Sequence, residues 1–374
     1  MTSVIVEGIE LLAIGPDGEN VTWSSHLGPM YEALIVARLF LSNGVEAIAG
    51  TTTYTEHEFD KATFHAAALI APFVLGRGAF DTHAAYQDMR KRYVPLGHAA
   101  LSLFDIALHD GKAKSENLPI YRMLGAARDE IPAYASSPLL LTDQAYIEYC
   151  RHVLELGYGA IKIHPYCVYD DDVRLVNTFV EEFAGWNVNW SLDVDGMYSA
   201  DQALCMGKVL DEAGWEFFEA PLPDGDLDGY KTLADALHLD VICGGNNLPN
   251  QQLIEFALKI GAWDRSRFDV TGIGGFTGAG EVVAATRAHG KTCEVQSWGY
   301  TLTQAANLHH MLTHSICDYF EQATPVEKYE FGARQVIRPD AEGLVRPSDL
   351  PGLGVEMDWE RIEPFVYARR VFSA

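Results

Sequence analysis

The sequence predicts an α/β protein: a (β/α)8 barrel of the TIM type, covered by an α+β capping unit built from the N-terminal region and the C-terminal tail. Three observations predict it. The chain has 374 residues, enough for one barrel of about 250 residues and a second unit. Short apolar runs recur from about residue 131 onward, each followed by a polar turn and an amphipathic stretch. The first third lacks that rhythm.

Within the first third, Val4 to Ala13 is apolar and strand-like, and Glu46 to Ala49 is a second short strand candidate. His57 to Val74 and Gly97 to Lys114 carry apolar residues at helical spacing. The rhythmic runs are Ile131 to Tyr134, Ala160 to Ile163, Trp190 to Asp193, Glu216 to Glu219, Asp240 to Cys243, Arg267 to Val270, Thr292 to Val295 and Cys317 to Phe320. Strand-helix alternation implies parallel pairing, and eight such units close into a barrel. An open doubly wound sheet competes but explains the number of units less well. The tail holds Pro351-Gly352-Leu353-Gly354, is too short to be a domain, and is expected to return to the N-terminal unit. The expected divisions are 1–128 for the cap, 129–340 for the barrel and 341–374 for the tail.

A formal net charge of −25 argues against nucleic acid and anionic membrane, which are bound by clustered Lys and Arg. It leaves an acidic substrate open, because a bound cation can reverse the field inside one pocket. Six cysteines lie scattered, with no CxxC pair and no zinc-binding spacing. With no basic and apolar leader at the N-terminus, they predict reduced thiols and a cytoplasmic protein. The expected partners are a small-molecule carboxylate substrate and further copies of the chain in a homo-oligomer.

Barrel enzymes carry their chemistry at the C-terminal ends of the strands. Strand three of the barrel ends in Asp193, with Asp195 two residues on; strand four ends in Glu219; strand five leads into Asn246 and Asn247. Oxygen ligands on three consecutive strands suit one hard cation such as Mg2+, with Mn2+ as an alternative. Strand two ends in Lys162-Ile163-His164, and strand alternation puts 162 and 164 on one face. Two basic groups in an interior normally lined by apolar residues read either as ion-pair partners of Asp193 or as a base beside a metal.

With these residues in order, the chain resembles the enolase superfamily, in its mandelate racemase and muconate lactonizing enzyme branch. Leu103 to Lys112 with Leu118-Pro119-Ile120-Tyr121, Ile273-Gly274-Gly275-Phe276-Thr277, Ser297-Trp298-Gly299, Ala305 to His309 and Pro351 to Gly354 carry the likeness along nearly the whole chain. The resemblance implies that Asp193 and Glu219 are metal ligands, with Asn246 where a third carboxylate is usual. It makes Lys162 a contact of the substrate carboxylate and puts His164 where the family has a second lysine, the base. Asp269 matches the aspartate of a His-Asp dyad whose histidine is replaced by Gln296, and Glu321 matches an acid that donates to the substrate carboxylate. Trp23 and His26, in the loop that closes over substrate, and Ser137, Asp195, Asn247 and Trp298 are the expected substrate contacts.

The departures have consequences. An amide takes no proton in the accessible pH range, so Gln296 is no base and the pocket has one basic face. Simple racemisation needs two. Asn246 lowers the ligand charge from −3 to −2, which weakens cation binding. Imidazole at 164 suits a base near neutral pH. The implied activity is a metal-dependent dehydratase of a hydroxy acid or sugar acid. A lactone cycloisomerase, a racemase or epimerase on a related carboxylate, and a decayed, non-catalytic binding protein remain open.

Three weaker signals are read as structure. Gly272 to Gly275 is no GxGxxG phosphate loop, Asp170-Asp171-Asp172 reads as a helix start, and His310 with His314 reads as a solvated helix face.

Overall fold

The computed structural model describes residues 4–15, 32–53, 57–245 and 250–373. The first unit is a four-stranded antiparallel sheet in the order β13-β1-β2-β3, with β1 at Val6–Ile14, β2 at Ala33–Leu41, β3 at Glu46–Thr53 and β13 at Val366–Ser373. The tail thus returns as a strand, with Glu10 opposite Val371. Helices α1 (His57–Val74), α2 (Thr82–Tyr93), α3 (His98–Glu116) and the short α4 (Ile120–Met123) complete this unit. The sequence reading missed β2, α2 and β13. The run of β2, ALIVARLFL, is almost continuously apolar and nearly all buried, so it lacks the alternation that marks a half-solvated strand.

Helix α3 is buried almost all round because it lies between the cap sheet and a barrel helix. Gly111 lets it approach the sheet, since a Cβ there would meet Leu41 Cδ1 at 2.8 Å. The buried Asp110 on the same helix accepts the N–H of Ile48 at 2.8 Å and the N–H of Leu353 at 2.8 Å. One carboxylate therefore ties the cap sheet, α3 and the tail together.

The second unit has eight parallel strands: β4 (Ile131–Ser136), β5 (Ala160–Ile163), β6 (Asn189–Asp193), β7 (Phe217–Glu219), β8 (Asp240–Ile242), β9 (Arg265–Phe268), β10 (Thr292–Val295) and β11 (Phe320–Ala323). Their ladders run in two arcs, β11-β4-β5-β6-β7-β8 and β10-β9, and a short antiparallel strand β12 (Leu344–Val345) pairs with β4. Between the arcs, Asp264 donates its N–H to Val241 O at 3.0 Å, and the backbones of Cys293 and Cys317, whose thiols are free, form a single parallel β-bridge. Two strands lie off their expected places. β9 ends at Phe268, so Asp269 stands just beyond it, and β11 begins at Phe320 rather than ending there. An apolar run alone marks that a strand exists but not where its ladder stops.

Helices α5 (Asp143–Glu155), α6 (Tyr169–Glu182), α7 (Ala200–Ala213), α8 (Leu227–Ala236), α9 (Gln251–Ile260), α10 (Gly275–Ala288) and α11 (Thr301–Thr313) alternate with these strands. Asp170, Asp171 and Asp172 occupy the first turn of α6, where they suit the helix dipole. The cap meets the barrel at the C-terminal ends of its strands: Thr51 Oγ1 bonds to Thr271 O at 3.3 Å and Thr52 Oγ1 lies 3.2 Å from Thr303 Oγ1. No helix among the described residues is long and apolar enough to cross a membrane.

The turn Gly272 to Gly275 holds no phosphate signature but docks the cap. Gly274 and Gly275 both donate N–H groups to Ser102 Oγ, and Thr277 N and Oγ1 bond to Asp105. Gly275 has φ +70, and a Cβ there would fall 2.3 Å from Asp105 Oδ2, so only glycine admits the cap helix. The expected solvated face at His310 and His314 is corrected: α11 is buried nearly throughout, His310 is 1% exposed, and the two rings lie 4.6 Å apart. Burial lowers both imidazoles, so they pack as neutral rings.

Candidate active site

Asp193 and Glu219 stand side by side in register at the ends of β6 and β7. Lys162, on β5, is buried and reaches Glu219 Oε2 at 2.8 Å, Glu321 Oε1 at 2.6 Å and Asp193 Oδ2 at 3.6 Å. His164 follows the same strand on the same face, and its Nε2 lies 3.1 Å from Asp193 Oδ2. The alternation inferred from the sequence thus brings Lys162, His164, Asp193, Glu219 and Glu321 into one cluster.

The imidazole is oriented from behind. Its Nδ1 lies 2.6 Å from the carbonyl oxygen of Ser137, and its backbone N–H donates to Ser137 Oγ at 2.9 Å. A carbonyl only accepts, so Nδ1 carries a proton; the Asp193 carboxylate also only accepts, so Nε2 donates to it in this arrangement and is the nitrogen whose proton can be exchanged. The ring also meets Trp298 edge to face with centroids 5.6 Å apart. Trp298 Nε1 donates to Ser136 Oγ at 3.2 Å, and Ser136 Oγ donates to Glu321 Oε1 at 3.1 Å. Ser137 therefore acts on the imidazole rather than standing as an isolated contact.

The principal residue that sequence reasoning missed is Arg267 on β9. Its buried guanidinium places Nε 2.7 Å from Glu219 Oε1, Nη2 3.0 Å from Glu321 Oε2 and Nη1 3.3 Å from Glu294 Oε1. Tyr134 also donates to Glu294, at 2.7 Å. The signal was present: alternation puts Arg267 on the face of Asp269, as it puts Lys162 on that of His164.

The electrostatics follow from burial set against this pairing. Burial alone would raise Asp193, but His164, Lys162 and Arg267 hold it well below the usual carboxylate range. Burial is likewise outweighed at Glu321, where Arg267 and Lys162 bring the carboxyl to about 2. At Glu219 burial wins over Arg267 and Lys162, and the neighbouring Asp193 and Glu321 push it further up. Burial disfavours the charge of Lys162, and Arg267 adds to that, yet the three carboxylates raise it overall. The ammonium is therefore held charged.

Asp269 has a different partner from the one a His-Asp dyad would give. It accepts Asn307 Nδ2 at 2.9 Å and Thr271 N at 2.7 Å, and burial lifts it to about 6. Gln296 follows β10 and donates its backbone N–H to Phe268 O at 2.9 Å. Asp195 takes φ 53 and donates its N–H to Asp193 Oδ1 at 3.0 Å, which orients that carboxylate. Trp23, His26, Asn246 and Asn247 lie outside the described residues.

A hard divalent cation takes oxygen ligands, and Asp193 and Glu219 fit as two of them. No group of three or more His, Cys, Asp or Glu among the described residues forms a metal cluster by itself.

The chain is similar to known proteins over most of its length. Residues 27–125 match the model of the mandelate racemase / muconate lactonizing enzyme N-terminal domain, and residues 145–361 match the enolase C-terminal domain-like model. A solved structure titled as a candidate mandelate racemase/muconate lactonizing enzyme from Pseudovibrio sp. superposes with a TM-score of 0.96 at 36% identity, covering 100% of both chains. L-talarate/galactarate dehydratase of Salmonella typhimurium is 28% identical over 226 residues, which is 57% of this chain and 54% of that protein. D-gluconate dehydratase of Thermoproteus tenax is 25% identical, again over 57% of this chain and 46% of its own length. The chain thus spans about half the length of these two relatives. The 3,6-anhydro-alpha-L-galactonate cycloisomerase of Streptomyces coelicolor is 26% identical over 92% of this chain and 94% of that protein. A structure of the Salmonella dehydratase liganded with Mg and L-lyxarohydroxamate shares the fold, with a TM-score of 0.89 at 21% identity over 100% of this chain and 95% of that one.

Proposed function

Since the chain belongs to the mandelate racemase and muconate lactonizing enzyme family of the enolase superfamily, we propose that it is a divalent-metal-dependent lyase that dehydrates a hydroxy acid or sugar acid. Relatives named as dehydratases, a cycloisomerase and an epimerase support lyase or isomerase chemistry in the coarser sense. The observation that carries α-proton abstraction is the His164 geometry, with Nδ1 committed to Ser137 O and Nε2 facing Asp193 beside the buried Lys162, and the relatives named as dehydratases favour loss of water after it.

Asp193 and Glu219, with Asn246, are the residues that would hold Mg2+ or Mn2+. When bound, the cation polarises the substrate carboxylate and favours loss of the α-proton. The chain's own residues do the rest. Lys162 keeps a fixed positive charge at the carboxylate end. His164 Nε2 removes the α-proton, and the imidazolium so formed is stabilised by Asp193 on one side and by the Ser137 carbonyl on the other. The electron pair left at the α-carbon forms the enediolate. It then expels the β-hydroxyl, which takes the proton from the His164 imidazolium and departs as water, and the enol left behind tautomerises to the 2-keto acid. With Gln296 opposite, proton traffic runs through one face.

A lactone cycloisomerase, using the same proton abstraction with a ring oxygen leaving, is the second reading. The full-length match to a cycloisomerase favours it. The proposed setting is a cytoplasmic homo-oligomer. The test is a library of sugar acids and hydroxy acids incubated with Mg2+ in deuterium oxide, read for α-deuteration and for a 2-keto acid product. Keto acid formation supports the dehydratase, and ring opening without it the cycloisomerase. No exchange with any acid counts against both.

A further inference from the structure

The cluster contains one more fixed cation than the proposed reaction uses. Lys162 approaches one oxygen of Glu219 at 2.8 Å, and Arg267 takes the other at 2.7 Å. The same two cations divide the oxygens of Glu321, at 2.6 Å for Lys162 and 3.0 Å for Arg267. Arg267 is also fastened to Gly244 O at 3.2 Å, and its side chain packs 3.1 Å from the position a Cβ on Gly245 would take. The buried guanidinium is thus held against Glu219 by the backbone that follows β8.

Cation affinity follows the net negative charge that the ligands present. Here that charge is reduced twice. An amide stands at 246, and a permanently charged guanidinium contacts one of the two carboxylates expected to ligate. We propose that Arg267 is a positioning residue that sets, and lowers, the divalent-cation affinity of the site by holding Glu219 and opposing the cation's charge. The inference rests on the metal-dependent reading above. It implies that the free protein holds the cation loosely and that a substrate carboxylate supplies the missing negative charge.

The experiment is calorimetric titration of Mn2+ into wild type, Arg267→Gln and Arg267→Lys, with no substrate present. Removing the guanidinium charge should tighten Mn2+ roughly tenfold or more. Arg267→Lys, which keeps the charge, should stay near wild type. A role that is structural, or that chiefly keeps Glu219 ionised, predicts the opposite sign, because a loosened or protonated Glu219 would bind metal less well. If Arg267→Gln does not fold, as judged by circular dichroism, Arg267→Gln with Glu294→Gln replaces it, since that pair removes a cation and an anion together. Equal or weaker affinity in the folded variant, or no detectable binding in either protein, overturns the proposal. Failure of the lyase reading shows separately: tight Mn2+ in Arg267→Gln with no α-proton exchange on any acid leaves Arg267 as the affinity-setting residue of a site that does not turn over.

Discussion

His164 points its protonated Nδ1 at the carbonyl oxygen of Ser137 across 2.6 Å, and this bond decides which nitrogen faces the pocket. A ring free to flip would present a proton donor half the time. Held this way, it turns Nε2 to Asp193, and Nε2 serves as the base once its proton has left.

His164→Ala should therefore slow turnover by roughly 10²- to 10⁴-fold, the usual contribution of a general base. Gln296→Ala should cost far less. Solvent deuterium should enter the substrate's α-position from one face only. Turnover and exchange measured on both variants decide the matter: an almost intact His164→Ala beside a dead Gln296→Ala would leave Asp269 as the base.

Lys162→Met should destabilise the fold as well as the activity. The ammonium is buried against three carboxylates, and its loss leaves Glu219 and Glu321 short of one cation each. Breaking a buried pair by removing one partner costs about 3 to 5 kcal/mol. Urea denaturation of both proteins is the check, and a variant as stable as wild type would mean that water already screens this cluster.

Glu32 should make stability depend on pH. Its carboxyl is buried with no hydrogen-bond partner on either oxygen among the described residues, and burial raises it to about 8 against the pull of Lys328. The folded state therefore binds this proton more tightly than the unfolded state. Its contribution is full below the ordinary carboxylate range and is lost as pH rises towards about 8. Each pH unit in that window removes at most about 1.4 kcal/mol. Glu32→Gln should narrow the stability gap between pH 5 and pH 8 in denaturant titrations, and an unchanged gap would assign the slope to other buried acids.

Asn246→Glu should tighten Mg2+ by restoring a third carboxylate, and Asp193→Asn should weaken it. Calorimetry on the two variants reads both directions. Unchanged affinity in Asn246→Glu would place that side chain outside the coordination shell.

Much of this was legible in the sequence, for a definite reason. A strand's two-residue period converts spacing into a face, so Lys162 and His164 could be placed together before any coordinates. Asp193, Glu219 and Glu321 were legible because each closes or continues an apolar run. Arg267 obeys the same rule but was passed over, because it opens its run and barrel chemistry is sought where a run closes. The distant partner of Asp269 was not legible: Asn307 reaches it from α11, and no local pattern announces a contact between elements so far apart in the chain. β2 was hidden by its own apolarity, since a run buried on both faces carries no period.

The cap sheet is closed by β13 pairing with β1, so its order joins residues near the beginning of the chain to residues near its end. During synthesis the first strand emerges long before its partner exists. Until the whole barrel has left the ribosome, one side of β1 has open N–H and C=O groups that could recruit a neighbouring chain. The nascent protein thus passes through a stage in which the barrel can form but its lid cannot. This β1 edge can be covered only after β13 has emerged, so chaperone dependence is expected to be concentrated in that interval.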